Sequence, residues 1–531
     1  MSHQPYKVLL LDNIDPVSAD ILKERGVDGQ LCAKMEKAEL YEKAKDADGI
    51  VVRSATKVDQ ELLEAAPNLK VVGRAGVGVD NIDIPAATSR GILVMNTPDG
   101  NTISTAEHAC GLILSLVRNI PNAVASLKAG RWDRKKYLGT EVDGKTLGIV
   151  GLGKIGSAVA QRMRAFGMNI IGFDPYMTKE RAEEIGVTLA EMDEVLGSSD
   201  IITVHTPLTD STRGLISAEN AHKLKKGVRL VNCARGGIFK EEDLLALLED
   251  GTIAELALDV YSKEPPEAHL APLLEHPKVV CTPHLGASTE EAQEKVAVQI
   301  AQQLADALEH KNYKGSLNGK SIALSTNREV QPYLQVAERL GRFAIQVAGY
   351  NVKELTLEYA GDCGKHAEVL TDAFLAGYLH QVDEAPINLI NARFLAERKG
   401  IRIKETKGSD NRGFADLITV HIEGVEAYRS ISATPFADQD YRVVRIDELN
   451  IELQLEGDIL LYKNIDKPGM LANVSSKLAQ ESINIASLSL GRDPHIKQAI
   501  TAVTLDKSAD DAVMKDVGNM EGINSLKQLH I

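Results

Sequence analysis

Side chains that could move a proton or grip an anion recur in this sequence directly after short apolar runs. They are His205 and Thr206 in "ITVHTP", Arg235 in "LVNCARGG", Asp259 and Glu264 in "ALDVYSKEPP", and His284 in "CTPHLGAS". An imidazole with an ordinary pKa of about 6.5 can take a proton from a hydroxyl and return it near neutral pH, which suits reversible oxidation of an alcohol. A carboxylate beside it would fix one tautomer and favour the charged form. Glu264 and His284 make such a pair, and His205 competes for the same role. Arg235 has no acidic residue immediately beside it and lies against two glycines. Its planar fork could therefore hold a substrate carboxylate by two parallel hydrogen bonds and polarise a neighbouring carbonyl. The plainer alternatives are a capping or core histidine at 284, a solvated loop acid at 264, and an arginine paired with a distant carboxylate at 235.

These groups need a scaffold that brings several strand ends together. "TLGIVGLGKIGSAVAQ" places Gly151, Gly153 and Gly156 between an apolar strand and a helix, in the spacing G-x-G-x-x-G. The first glycine allows a tight turn, the second lets a pyrophosphate approach the backbone, and the third lets helix pack on strand. Lys154 and Ile155 would offer backbone amides at the helix N-terminus, where the dipole favours anions. Asp174, at the end of the next strand, could accept from adenosine ribose hydroxyls and would repel a 2′-phosphate, so NAD is favoured over NADP. The alternative is a glycine-rich turn followed by a surface aspartate.

Around this motif, β-branched runs alternate with helical patterns from residue 7 to about 98 and again from "TLGIVG" to about 285, which predicts two doubly wound parallel sheets. A long helix is expected at about 102–118, and another over 289–309 that could return to the first unit. "HKNYKGSLNGK" reads as a linker. Helical patterns and then β-rich segments fill about 318–452, and 457–531 reads β-α-β-β-α-β, a ferredoxin-like order. The boundaries are a first α/β domain at 1–98 completed by 286–316, a dinucleotide-binding domain at 99–285, an α+β domain at 317–455 and a terminal unit at 456–531.

With 531 residues the chain exceeds what one core supports, and its net charge of −15 argues against nucleic acid or a membrane surface as partner. Five scattered cysteines suggest neither a disulfide framework nor a zinc site, and point to reduced thiols in a cytoplasm. No apolar stretch reaches the roughly 20 residues of a membrane span, and no signal-peptide pattern opens the chain. Among the basic residues, Arg53 and Arg74 follow strands of the first unit, while Arg134, Lys135 and Lys136 cluster in the connecting loop. Cations at strand ends suit a phosphate.

The motifs "RSATKV", "RAGVGVDNID", "GLGKIG", "HTPLTDSTRGLI", "NCARGGI", "ALDVYSKEPP" and "TPHLGASTEEAQ" resemble the D-isomer-specific 2-hydroxyacid dehydrogenase family in its long, phosphoglycerate-oxidising form. That resemblance spans the chain. It implies Arg235, Glu264 and His284 as catalytic residues, with His284 the proton donor and acceptor, and no metal. It implies NAD contacts at Val77, Lys154, Ile155, Asp174, Thr206, Ala234, Asp259 and Gly286. Val77 stands where some members carry a polar residue. The implied reaction is NAD-dependent oxidation of 3-phosphoglycerate to 3-phosphohydroxypyruvate, opening L-serine biosynthesis, with substrate contacts at Arg53, Ser54, Arg74, Gly76, Arg134 and Lys135. Trp132 and Arg134 would act across a homodimer or homotetramer. The C-terminal half resembles an allosteric substrate-binding type domain followed by an ACT domain, with L-serine positions falling on Asn464, Asp466 and Asn484. Asn464 and Asp466 depart from the pattern of strongly serine-inhibited members, which leaves an ACT pair that binds nothing as the other reading. Alternative activities are oxidation of another 2-hydroxy acid, through glyoxylate, hydroxypyruvate or 2-oxoglutarate chemistry, or an NAD-sensing corepressor.

Overall fold

The computed structural model describes all residues except 1–4, 350, 381–385, 426–428, 438, 494 and 496. Residues 426–428, inside one expected β-rich segment, thus lie outside the described residues.

The first sheet contains β1 (Lys7–Leu10), β2 (Asp28–Leu31), β3 (Gly49–Val52), β4 (Val71–Arg74) and β5 (Leu93–Asn96), all parallel, in the order β2-β1-β3-β4-β5. Alternate side chains go to opposite faces, as strand geometry requires. Val8, Leu10 and Val51 enter one core, whereas Leu9, Ile50 and Val52 enter the other. The helix Glu290–Leu308 closes the first of these cores with Val296, Ile300 and Leu304. Gly73 in β4 makes room for it, because a Cβ there would lie 2.5 Å from the Leu304 side chain. The chain after this helix is not a free linker. Ser316 bridges antiparallel to Met95, and Asn318 donates to Ile92 O at 2.9 Å and accepts from Val94 N at 2.8 Å. The exposed edge of β5 has unpaired backbone groups, and this segment satisfies them.

The second sheet contains β6 (Thr146–Val150), β7 (Asn169–Phe173), β8 (Thr188–Leu189), β9 (Ile201–Val204), β10 (Val228–Asn232), β11 (Ile253–Leu258) and β12 (Val279–Cys281), in the parallel order β12-β11-β10-β9-β6-β7-β8. From β6 the chain winds one way through β7 and β8, then returns and winds the other way, which puts the topological switch point between β6 and β9. The expected helix runs Thr102–Val117, turns at Asn119 with φ +52°, and continues as Ile120–Lys128. Among the described residues no single helix is long and apolar enough to cross a membrane.

Beyond residue 320, strands alternate with helices more than the sequence pattern indicates. Glu354–Ala360 lies between the helices Gln331–Ala348 and Ala367–Leu379, and Arg402–Lys407 follows a further helix before the antiparallel strands begin. These two strands pair parallel to each other inside a six-stranded sheet. The final four strands are antiparallel, with two helices, Met470–Gln480 and Asp511–Gly518, in the expected ferredoxin-like order. One face of this last sheet, through Ile459, Leu461, Ile500 and Leu529, shares a hydrophobic core with the six-stranded unit. Its other face, through Leu460, Tyr462 and Val503, packs on its own helices.

Candidate active site in the cleft between the parallel sheets

The C-terminal edge of the second sheet presents, strand by strand, His284 after β12, Asp259 after β11, Arg235 after β10, His205 and Thr206 after β9, the glycine turn after β6 and Asp174 after β7. Parallel order alone puts all these strand ends on one side, where open α/β sheets bind ligands.

At the switch point the glycine turn has the shape a dinucleotide needs. Gly151 adopts φ +93°, and a Cβ there would meet the His205 carbonyl at 2.5 Å; a Cβ on Gly156 would collide with the Gly151 carbonyl oxygen. Around Gly153, by contrast, a Cβ would meet nothing within 4 Å. That open side faces the first turn of the helix Lys154–Ala165, whose amides at Lys154 and Ile155 have no intrahelical partners. Asp174 is held against the turn, accepting from Leu152 N and Tyr176 N, each at 2.9 Å. The residues present therefore fit a dinucleotide. The Lys154 ammonium pairs with Asp99, which follows β5 in the first unit. Thr206 and Ala234 line the same edge, the Ala234 amide donating to Asn232 Oδ1 at 3.0 Å.

His284 and Glu264 meet. The imidazole Nδ1–H donates to Glu264 Oε2 at 2.7 Å, and Glu264 Oε1 accepts from Tyr261 N at 3.2 Å. This bond raises the His284 pKa above its ordinary value against the opposing effect of burial, and the charge of Glu264 adds to the rise. Burial is the largest single influence on the Glu264 carboxyl and pushes it upward, but the His284 hydrogen bond, the His284 charge and the Tyr261 amide together outweigh it and the net shift is down. His284 Nε2 has no protein partner among the described residues, so one ring nitrogen is anchored and the other is free. The rival, His205, is different: burial pushes its pKa down to about 4, and its Nε2 is 3.0 Å from Thr203 Oγ1. A histidine locked neutral into the sheet is a poor proton shuttle.

Asp259 is fully buried and holds the His284 loop. It accepts from Thr282 Oγ1 at 2.6 Å, Leu285 N at 2.7 Å and Gly286 N at 2.9 Å, and His108 Nε2 lies 3.2 Å away. His284 has φ +56°, a left-handed conformation costly for a residue with a Cβ, and these flanking bonds keep it there. Asp259 thus meets protein groups where a direct NAD contact was expected. His108 escaped sequence reasoning; its place in "TAEHACG", on the helix crossing this edge, was the available signal.

The facing wall comes from the first sheet. Arg53 follows β3 and Arg74 ends β4. The turn at Arg53–Thr56 is organised by Asp12, which accepts from Arg53 N at 2.8 Å and from Thr56 Oγ1 at 2.6 Å, with Ser54 exposed between them. Arg74 Nη1 donates to Ala75 O at 2.6 Å, while its Nε is buried without a partner among the described residues. Burial first, then the neighbouring charges of Arg53 and Arg235, push the Arg74 pKa down to about 10, with Asp12 and Asp80 opposing. Gly76, at φ +150°, is where a Cβ would lie 2.5 Å from Arg74 Nη1, and its amide donates to Thr97 Oγ1 at 2.8 Å. The Val77 carbonyl accepts from Asn96 Nδ2 at 2.7 Å, leaving its amide for other use.

Arg235 is not without an acid. Asp80, distant in sequence and on the opposite wall, accepts from its Nε at 3.0 Å. Local sequence could not reveal this partner, although "GVGVDNID" after β4 carried it. Arg134 and Lys135 fall in an exposed 3-10 turn, Arg134–Tyr137, and make no hydrogen bond or ion pair to any described cleft residue. The structure does not join them to the cleft of the same chain. In the last sheet, Asn464, Asp466 and Asn484 are not linked by hydrogen bonds to one another. Asp466 pairs with Arg492 at 2.9 Å, Asn464 is buried with its Oδ1 unpartnered among the described residues, and Asn484 is exposed.

Two walls, one with a dinucleotide turn and a carboxylate-held imidazole and the other with clustered guanidinium groups, define the class: an oxidoreductase for hydroxyl-bearing acids. Residues 110–286 match the model for the D-isomer specific 2-hydroxyacid dehydrogenase NAD binding domain, and residues 329–447 match the D-3-phosphoglycerate dehydrogenase intervening domain. The chain is 42% identical to the D-3-phosphoglycerate dehydrogenase of Bacillus subtilis (strain 168), over 91% of this chain and 92% of the relative. It is 44% identical to that of Rattus norvegicus, over 91% of each. Among solved structures it is similar to a glyoxylate reductase from Paecilomyes thermophila, with TM-score 0.53 and 33% identity over 59% of this chain and 97% of the other. A D-lactate dehydrogenase from Aquifex aeolicus, complexed with NAD and lactic acid, gives TM-score 0.51 at 28% identity over 57% and 96%. The chain belongs to the D-3-phosphoglycerate dehydrogenase family, within the D-isomer specific 2-hydroxyacid dehydrogenases. It is an NAD-dependent oxidoreductase.

Proposed function

We propose that the protein oxidises 3-phosphoglycerate to 3-phosphohydroxypyruvate with NAD, the first step of L-serine biosynthesis. The observation that carries this reading is the cleft itself: a glutamate-held imidazole shares one sheet edge with Arg235, whose charge acts on it, while Arg53 and Arg74 come from the other sheet, Arg74 with a buried nitrogen unpartnered among the described residues. A buried unpaired donor costs stability unless a ligand completes it, and an acid with a carboxylate at one end and a phosphate at the other would complete this wall. NAD, when bound, supplies the hydride acceptor. His284 Nε2 takes the hydroxyl proton, and the resulting imidazolium is stabilised through Nδ1–H by Glu264. The fork of Arg235 holds the carboxylate beside the reacting carbon, and Arg53 and Arg74 hold the phosphate. In reduction the same imidazolium returns the proton.

The same reading places a second copy of the chain against the exposed Trp132 and Leu138, bringing Arg134 and Lys135 to a neighbouring cleft. It treats the C-terminal sheet as an ACT domain taking L-serine at Asn464, Asp466 and Asn484, supported by the bare Asn464 Oδ1. The cytoplasm, where all five thiols would stay reduced, is its compartment. The test is NADH formation across a panel of 2-hydroxy acids. 3-Phosphoglycerate should exceed glycerate and lactate in kcat/KM by about 100-fold or more, since two charge-assisted hydrogen bonds are lost with the phosphate. A preference for an unphosphorylated acid would replace this substrate with another of its class.

A further inference from the structure

Arg235 does not act on its ligand alone. Its Nε–H goes to Asp80 Oδ2 at 3.0 Å and one Nη1–H to Ala234 O at 2.7 Å. The rest of the fork, including both Nη2 hydrogens, has no partner among the described residues. The guanidinium leans so far towards the opposite wall that a Cβ on Gly78 would collide with Nη2. Asp80 is two residues beyond that glycine, with its side chain largely exposed, and its Oδ2 touches the fork at a single point. A carboxylate merely occupying the substrate's place would be expected to take the fork in the two-bond geometry that planar guanidinium groups favour. Asp80 instead takes the Nε edge and leaves the terminal nitrogens open.

We propose that Asp80 is a positioning residue: by holding Nε from the other wall it fixes which edge of Arg235 the substrate carboxylate meets, while Gly78 leaves the space into which the guanidinium projects. This rests on the reading of Arg235 as the carboxylate-binding residue. The arrangement also makes substrate affinity depend on the relative placement of two separately folded sheets, because the arginine belongs to one and its orienting carboxylate to the other.

The test uses the full-length protein. Asp80→Ala raises KM for 3-phosphoglycerate about 10- to 100-fold, the size of losing a charge-assisted hydrogen bond to a mis-set guanidinium, with a smaller fall in kcat. NAD affinity by calorimetry and the melting temperature stay at wild-type values. Asp80→Asn, which keeps an acceptor in place, falls between wild type and Ala. Gly78→Ala, which displaces the guanidinium without altering charge, raises KM in the same way. Unchanged KM in Asp80→Ala overturns the proposal, and a lowered KM overturns it by showing that Asp80 competes with substrate. Arg235→Ala is the separate control: if it leaves KM for the acid unaltered, the carboxylate reading of Arg235 fails. If it abolishes binding while Asp80 variants behave as wild type, only the positioning role fails.

Discussion

His284 meets a carboxylate from its own sheet edge, whereas Arg74, on the facing wall, has a buried Nε with no partner among the described residues. On the proton-handling side every orienting contact is made within the second sheet: Glu264 on Nδ1, Tyr261 N on Glu264, and Asp259 on the amides after His284. On the anion-gripping side the cations crowd together, the charges of Arg53 and Arg235 help to lower the Arg74 pKa, and Arg235 reaches across the cleft to Asp80. The first arrangement is complete without a ligand and the second is not. A proton shuttle must have its tautomer set before substrate arrives, whereas a binding surface keeps donors open for the groups it will receive.

If that contrast is right, losing the proton side should stop turnover and losing the anion side should weaken binding. His284→Ala is expected to lower kcat by about two to four powers of ten, the usual range for general acid–base help, with NAD affinity by calorimetry unchanged. Near-normal turnover would transfer the proton to water. Arg74→Ala should raise KM for 3-phosphoglycerate by about 10- to 150-fold, from the loss of charge-assisted hydrogen bonds worth about 1.5–3 kcal/mol. Glycerate kinetics should hardly move, and equal losses for both acids would remove Arg74 from the phosphate.

Glu264→Gln sharpens the same contrast through pH. Oxidation needs neutral His284, so kcat/KM falls as pH drops through its pKa, which the Glu264 bond raises. Removing the carboxylate should move this acid limb to lower pH. In the reverse direction, which needs the imidazolium, activity should be lost at a lower pH than in the wild type. An unmoved limb in the oxidation profile would break the His284–Glu264 assignment. The smallest effect is expected furthest away: Asp466→Ala should weaken L-serine binding, read by titration calorimetry, without altering kcat in the absence of serine. No serine heat in the wild type would leave the last sheet as an assembly element.

Sequence disclosed the strand-end groups because parallel order converts position along the chain into position along one edge, as with Arg235, Asp259 and His284. It disclosed the glycine turn for a related reason, since Gly151 and Gly156 meet backbone close by in the fold. Contacts between the two sheets were hidden. Asp80 on Arg235 and Asp99 on Lys154 join residues that no local pattern relates, and the relative placement of two units is not written in the periodicity of either. His205 was ambiguous for a different reason. Only burial separates a strand-end histidine that titrates from one that does not. The parallel pair Glu354–Ala360 and Arg402–Lys407 escaped because helices separate its members.

The central claim is that one imidazole and one guanidinium act on the same molecule. A crystal structure of the unreactive complex with NADH and 3-phosphoglycerate tests it most directly. The account predicts the substrate hydroxyl within about 2.6–3.2 Å of His284 Nε2, with its carboxylate on the terminal nitrogens of Arg235. A bound acid touching only one of these groups, or lying outside the cleft between the parallel sheets, would contradict it.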